Sequence, residues 1–356
     1  MGEKLLMKGN EVIAEAAIRA GCRHYFGYPI TPQTEIAHYM AKVMPKAGGT
    51  FLQAESEVAA IYMVYGASGA GARVMTSSSS PGISLKQEGL SYMSCARLPA
   101  VVVNIVRCGP GLGGILAAQC DYFQAVKGGG HGDYNMIVLA PNSIQELYEL
   151  TVEAFNLADR YRVVAMIMGD GMLGQMMEAV EFRETENIEV YDKPWATNGS
   201  KLSRERNIIS SIDTNPERLE AMNNTLQETY ARIKENEVRV EEYNCDGAEI
   251  IITAYGMVSR IVKNVIVDAE KEGIKVGLIR PITLWPFPEK EILKRASAQD
   301  APKAFLSVEL SAGQMVEDVR LAVNGVKPVH FYGRTGGMAP TQKEIVEKVK
   351  DILDNT

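Results

Sequence analysis

The chain has 356 residues, 46% hydrophobic and 23% charged, with a formal net charge of -7. This is ordinary composition for a folded soluble protein with room for two cores, and the lack of any Lys/Arg cluster excludes a nucleic-acid backbone binder. No apolar run nears the roughly 20 residues that span a bilayer, and the opening MGEKLLMKGNEV lacks a secretory signal's apolar core, so a cytoplasmic protein away from membranes is expected.

In chain order, apolar periodicity predicts helices over Glu11 to Ala20, Gln33 to Val43, Glu57 to Ala70, Ile83 to Ala96 and Ser143 to Asp159. Runs rich in Val, Ile and Tyr predict strands at His24 to Gly27, Ala72 to Met75, Ala100 to Val106, Met136 to Leu139 and Val163 to Met168. The alternation predicts an α/β domain over 1–182, with helices on the faces of a parallel sheet. A glycine-rich stretch between Arg107 and Asn135 interrupts it, and loops of that length in compact domains are usually functional or disordered. Residues 183–245 read as a linker with one amphipathic helix: Asn215 caps it, Pro216 opens it, and Leu219, Met222, Leu226, Tyr230 and Ile233 share a face. That helix could dock on its own chain or on a partner. Residues 246–356 resume the alternation as a second, smaller α/β domain, ending in a helix capped by Thr341 and Glu344.

Several familiar motifs fail. GASGAGAR lacks the G-x-G-x-x-G order directly after a strand, and no G-x-x-x-x-G-K-[ST] occurs, so the nucleotide-binding folds lose their fingerprint. The five cysteines (Cys22, Cys95, Cys108, Cys120 and Cys245) form no Cys-x-x-Cys pair and read as reduced, mostly buried thiols. Gly-Asp-Gly at Gly169 to Gly171 resembles the opening of the diphosphate–magnesium site of thiamine enzymes. The Asn pair that completes such a site is missing from the charged stretch that follows, where Asn198 stands unpaired, and no metal site is expected in this chain.

Four other segments carry chemistry. In QAESEVAAIYMVYG, Glu57 shares a helical stripe with Ala60, Ile61 and Val64, whereas Glu55 points about 160° away, so Glu57 is the better candidate for a buried acid. Two solvated acids at a helix start remain the alternative. TSSSSPG, from Thr76 to Gly82, presents hydroxyls and free backbone N–H groups where an anion or polar ring could dock; N-capping by Ser79 or Ser80 explains it equally well. Arg107 ends the strand AVVVNIV, where open α/β sheets bind ligands and where a guanidinium fork fits a carboxylate or a local acid. In GYPITPQTEIA, Pro29 and Pro32 stiffen a turn around the hydroxyl of Thr31.

Taken together, Tyr28-Pro29-Ile30-Thr31-Pro32, Ser56-Glu57-Val58-Ala59-Ala60, Thr76 to Gly82, Arg107-x-Gly-Pro and QAVKGGGHGDYN resemble the alpha subunit of the 2-oxoacid:ferredoxin oxidoreductases over the whole chain. The likeness is strongest to the 2-oxoisovalerate (3-methyl-2-oxobutanoate) group, although Cys120 stands where that group suggests glycine. The resemblance implies that 1–182 grips the aminopyrimidine of thiamine diphosphate and that 246–356 is a transketolase-C-like domain. It implies a beta subunit carrying the diphosphate and Mg²⁺, an iron–sulfur cluster in partner subunits, gamma and ferredoxin-like delta subunits, ferredoxin as acceptor and coenzyme A as acyl acceptor. Glu57 then matches the catalytic glutamate that hydrogen-bonds the pyrimidine, Thr31 and Arg107 the substrate-side residues, and Pro29, Ser79, Ser80, Pro81 and Gly82 the cofactor cradle.

The expected reaction is oxidative decarboxylation of a 2-oxoacid to an acyl-CoA. A branched-chain substrate is favoured, because the glycine-rich loop offers only Lys127 and His131 as further cations for a second carboxylate. The rivals are the 2-oxoglutarate branch, another thiamine chemistry such as acyloin formation, and a non-catalytic assembly subunit. Retention of Glu57 beside Thr31 and Arg107 speaks against the last.

Overall fold

A computed structural model describes residues 3–182 and 187–355. A seven-stranded sheet runs in the order Thr283–Trp285, Ile137–Leu139, Val164–Asp170, Ala100–Val106, Val74–Ser78, His24–Gly27, Thr50–Gln53. Its pairs are parallel except at the Thr283–Trp285 edge. The central strand Ala100–Val106 is buried at every position, as expected where helices cover both faces, and pairs Val103 with Ile167 and Ser77 with Val103. A five-stranded sheet (Val329–Gly333, Ala304–Glu309, Ile250–Thr253, Val276–Pro281, Val240–Tyr243) forms the second layer system, its last strand antiparallel.

Differences from the sequence expectations have local causes. The strand expected to end at Met75 spans Val74–Ser78, because Thr76, Ser77 and Ser78 continue it with buried hydroxyls that imitate loop composition. Glu3–Lys8 and Met177–Phe182 form a separate antiparallel pair that alternation does not reveal. Val240–Tyr243, inside the expected linker, joins the second sheet, whereas Thr283–Trp285, from the expected second domain, joins the first. Helix Pro216–Asn236 is capped by Asn215, whose side chain accepts from the Arg218 amide. It docks on its own chain through Leu226, Tyr230 and Ile233, with the Tyr230 ring edge-on to Trp285; Leu219 stays exposed. Thr341 and Glu344 complete their capping box. The cysteines are free thiols, and burial pushes that of Cys22 up to about 12.

The two sheets are tied by polar side chains as well as by the exchanged strand. The buried Arg280 guanidinium donates to both carboxylate oxygens of Glu146 at 2.7 Å and lies 2.7 Å from Glu241. Gln119 donates to the Tyr255 carbonyl and accepts from the Leu310 amide, both at 3.0 Å.

Candidate active site

At the C-terminal end of strand Val74–Ser78 the chain turns through Ser79 and Ser80 into helix Pro81–Cys95. Ser80 adopts φ 20°, a conformation non-glycine residues avoid. Three hydrogen bonds hold it there. Its amide donates to Asn104 Oδ1 (3.1 Å), and its hydroxyl accepts from the Arg107 amide (3.0 Å) and donates to the Arg107 carbonyl (3.2 Å). Beneath the elbow the hydroxyls of Thr76, Ser78 and Ser79 are buried without a partner among the described residues.

Glu57 opens the neighbouring helix, Glu57–Gly69, whose N-cap Ser56 accepts from the Ala59 amide. Ala60, Ile61 and Val64 are fully buried on its stripe; Glu55 is exposed, while Glu57 is only 6% exposed. No hydrogen bond from a described residue reaches the Glu57 carboxyl. Its seat is the backbone of Gly82: a β-carbon there would lie 2.6 Å from Glu57 Oε1 and 2.1 Å from Ser78 Oγ, so only glycine lets the two helix starts approach this closely. One turn on, Lys86 is 0% exposed and its ammonium donates to the Glu57 carbonyl at 3.4 Å. Burial pulls Lys86 down to about 8, opposed by the negative charge of Glu57.

Among the described residues Arg107 pairs with no acid. Its Nη1 donates to the Thr31 carbonyl (2.9 Å), its Nη2 to the Leu112 carbonyl (3.0 Å), and its Nε is buried without a partner. The guanidinium therefore braces the proline turn against the glycine loop. Thr31 itself has an exposed side chain, and its turn is fixed from below by a buried chain in which the Ser77 hydroxyl, 2.7 Å from Tyr25 OH, donates to Gln33 Oε1 at 2.6 Å.

These residues surround a cleft of about 470 Å³. Glu57 and Arg107 are its charged lining; Pro81, Gly82, Ile30, Leu85, Leu112 and Ile115 make most of the rest. Pro29, Ser79 and Ser80 lie outside that lining, and Thr31 reaches it through its carbonyl bond to Arg107 and its neighbour Ile30. An aminopyrimidine fits such a slot: a flat apolar body, and a ring nitrogen for a buried carboxyl that lacks a partner. The Gly169 to Gly171 motif is otherwise engaged. Asp170 Oδ1 accepts from the Met172 and Leu173 amides and Oδ2 from the Met257 amide, while burial pushes its carboxyl upward. No cluster of His, Cys, Asp and Glu that could hold a metal ion occurs among the described residues.

Residues 15–243 match the family model described as pyruvate flavodoxin/ferredoxin oxidoreductase, thiamine diphosphate-binding, and residues 248–345 match core domain II of pyruvate:ferredoxin oxidoreductase. The chain belongs to the 2-oxoacid:ferredoxin oxidoreductases. It is 50% identical over 351 residues to the ketoisovalerate oxidoreductase subunit VorB of Methanothermobacter thermautotrophicus, covering 99% of this chain and 98% of that protein. The 2-oxoglutarate synthase subunit KorA of the same organism is 35% identical, covering 98% of this chain and 99% of that one. Among solved structures, 2-oxoglutarate:ferredoxin oxidoreductase from Magnetococcus marinus superposes with a TM-score of 0.87 at 27% identity; it covers 98% of this chain, which spans 65% of that one. A split-gene transketolase, at 13% identity and TM-score 0.60, shares the fold. As a subunit of a 2-oxoacid:ferredoxin oxidoreductase, the chain works in a multi-subunit, thiamine diphosphate-dependent enzyme. Among the described residues of this oxidoreductase subunit, no helix is long and apolar enough to cross a membrane.

Sequence reasoning missed Lys86 and Gln33 as site residues, and it named Ser77 only as part of the segment Thr76 to Gly82. Lys86 carried one usable signal: helical spacing places it on the face of Ile83 and Leu90, where a lysine needs a reason.

Proposed function

We propose that this chain is the pyrimidine-gripping subunit of a branched-chain 2-oxoacid:ferredoxin oxidoreductase, converting 2-oxoisovalerate to its acyl-CoA in the cytoplasm. The observation that carries the reading is the cleft itself: it is lined by Arg107 and by a buried Glu57 whose carboxyl no hydrogen bond from a described residue reaches, with Ile30, Leu85, Leu112 and Ile115 as its apolar walls. In this reading residues 1–182 form the pyrimidine domain, 183–245 a linker and 246–356 the transketolase-C-like domain. The diphosphate, its Mg²⁺ and the iron–sulfur clusters belong to partner subunits: a beta subunit for the diphosphate, and gamma and ferredoxin-like delta subunits toward ferredoxin. The engagement of Asp170 in capping supports that division.

Thiamine diphosphate, when bound, supplies the carbon nucleophile that takes the acyl unit as CO₂ leaves. Glu57 sets its carboxyl oxygen against the pyrimidine ring nitrogen and shares a proton with it, a positioned acid–base group. Pro81 and Gly82, with the hydroxyls of Ser79 and Ser80 behind them, shape the wall for the ring. Arg107 orients the substrate carboxylate by charge while holding Pro29 to Pro32 in register through the Thr31 carbonyl, which keeps the Thr31 hydroxyl at the substrate end. The apolar lining excludes water and suits an isopropyl tail, whereas a distal carboxylate would be left there without a partner.

The test is viologen or ferredoxin reduction by the assembled complex with 2-oxoisovalerate, 2-oxoglutarate, pyruvate and an arylpyruvate, in the presence of coenzyme A. Highest kcat/KM is expected for 2-oxoisovalerate, with residual activity on straight-chain acids because a methylene discriminates by only about 1–3 kcal/mol. A higher value for 2-oxoglutarate would place the chain in that branch instead.

A further inference from the structure

Lys86 is the most deeply buried charged group of the active-site walls, and neither the fold nor the reaction described above requires a cation there. Its three N–H donors meet a single acceptor, the Glu57 carbonyl, at 3.4 Å. An ammonium so placed is unfavourable unless an opposite charge lies close by. The arrangement of the two helix starts provides one. Gly82 seats the Glu57 carboxyl against the backbone of helix Pro81–Cys95, and Lys86 follows four residues later on the same buried face, touching Glu57 at its backbone carbonyl and feeling the charge of its carboxyl from beyond ion-pair distance. Other ionisable groups packed on this helix engage different positions. Tyr134 bonds Gln87, His131 receives the Ser91 hydroxyl at its carbonyl and touches the Tyr92 ring, and Tyr62 packs on Tyr92 on the outer side. Arg107 shares the cleft, but two backbone carbonyls hold its guanidinium.

We propose that Lys86 is a positioning residue that acts through Glu57: its buried ammonium is the counter-charge that keeps the Glu57 carboxyl ionised, ready to share a proton with the pyrimidine nitrogen. The depression of Lys86 to about 8 is consistent, since Glu57 is the group that opposes its desolvation. The ammonium and the carboxylate then offset each other, and Arg107 remains the cleft's other charge. The inference rests on the reading of Glu57 as the pyrimidine-facing acid.

The experiment uses the assembled complex carrying Lys86→Met, which removes the charge and keeps the length, and Lys86→Arg, which keeps the charge. The first readout needs no cofactor. Infrared difference spectra, wild type minus Glu57→Gln, isolate the Glu57 carboxyl band in cofactor-free complex, and its intensity is followed against pH. Lys86→Met is expected to hold the protonated band to a pH about one unit or more higher than wild type, the scale of losing a close opposite charge. Lys86→Arg is expected to titrate like wild type. The second readout is thiamine C2 proton exchange in loaded complex, whose acid limb should move up with Lys86→Met alone. Coincident titrations of wild type and Lys86→Met would overturn the proposal. If Lys86→Met fails to assemble, an Arg variant displaced upward by a similar unit would overturn it equally. Should Glu57→Gln exchange C2 at the wild-type rate, the assignment of Glu57 fails, while the infrared titration still decides whether Lys86 governs its charge.

Discussion

Gly82→Ala is the sharpest probe of the site geometry. The added methyl would lie 2.6 Å from Glu57 Oε1, 3.1 Å from Glu57 Cγ and 2.1 Å from Ser78 Oγ. Non-bonded carbon–oxygen contacts settle near 3.4 Å, so the carboxyl must retreat by about 0.8 Å. A displacement of that order in a positioned catalytic group slows reaction about 100-fold, equivalent to about 2.7 kcal/mol of barrier. The effect on stability is smaller, because strain of about 1–3 kcal/mol is partly offset by the 0.5–1 kcal/mol or so gained when alanine replaces glycine in a helix. The assay is hydrogen–deuterium exchange at thiamine C2 in reconstituted complex, paired with its thermal unfolding. Gly66→Ala is the control, since nothing lies within 4 Å of its added methyl, and it should keep the exchange rate with equal or slightly higher stability. An exchange rate for Gly82→Ala within about threefold of wild type would show that this glycine does not seat the Glu57 carboxyl for catalysis.

Other outcomes are open to measurement. Glu57→Gln should slow C2 exchange by about two orders of magnitude or more while Glu55→Gln, on the exposed face, leaves it alone; equal behaviour would undo the face assignment. Between pH 8 and 10.5 the unfolded chain binds a proton at Lys86 that the folded chain releases, so wild-type stability should rise with pH across that window by an amount on the order of 3 kcal/mol, while Lys86→Met shows no such rise. Melting temperatures of both complexes from pH 7 to 10 test this, and a constant gap between them would contradict the burial argument. Arg280→Ala leaves Glu146 and Glu241 facing each other across the domain junction and should cost about 3–5 kcal/mol, seen as early melting. Ile115→Ala should lower kcat/KM for 2-oxoisovalerate more than for pyruvate, by about tenfold in the ratio.

The sequence showed the central strands of the first sheet because they are fully buried, and buried parallel strands are written in Val and Ile; the mostly exposed edge strand Thr50–Gln53 carries no such signal. AVVVNIV needs no context. The strand Val74–Ser78 shows the limit: its buried hydroxyls imitate loop composition and mask the β signal. Helical spacing put Glu57 on one stripe with Ala60, Ile61 and Val64 and Glu55 on another, but Val58 and Tyr62 make the other stripe apolar too; it is the fold that buries the first and leaves the second exposed. The bracing role of Arg107 was not, because its partners are carbonyls at 31 and 112, and backbone acceptors leave no trace in residue type. Lys86 was legible only through its spacing with Ile83 and Leu90, and its contact was not. A lysine inside SLKQEGL resembles any solvated helix position until the neighbouring helix is seen to end on it. The strand exchange at Thr283–Trp285 is too short, at 3 residues, for periodicity to register.

That exchanged strand imposes an order in time. On the ribosome, Ile137–Leu139 is made long before its antiparallel neighbour, and some 140 residues of chain must follow before Trp285 can pair with Val138. Until then the N-terminal sheet presents an apolar edge with free amides and carbonyls, the kind of surface that recruits strands from other nascent chains. The thiamine half of the molecule is therefore finished by the other half: a truncated transcript ending before residue 283 would yield an edge-exposed, association-prone fragment rather than an autonomous pyrimidine-binding module.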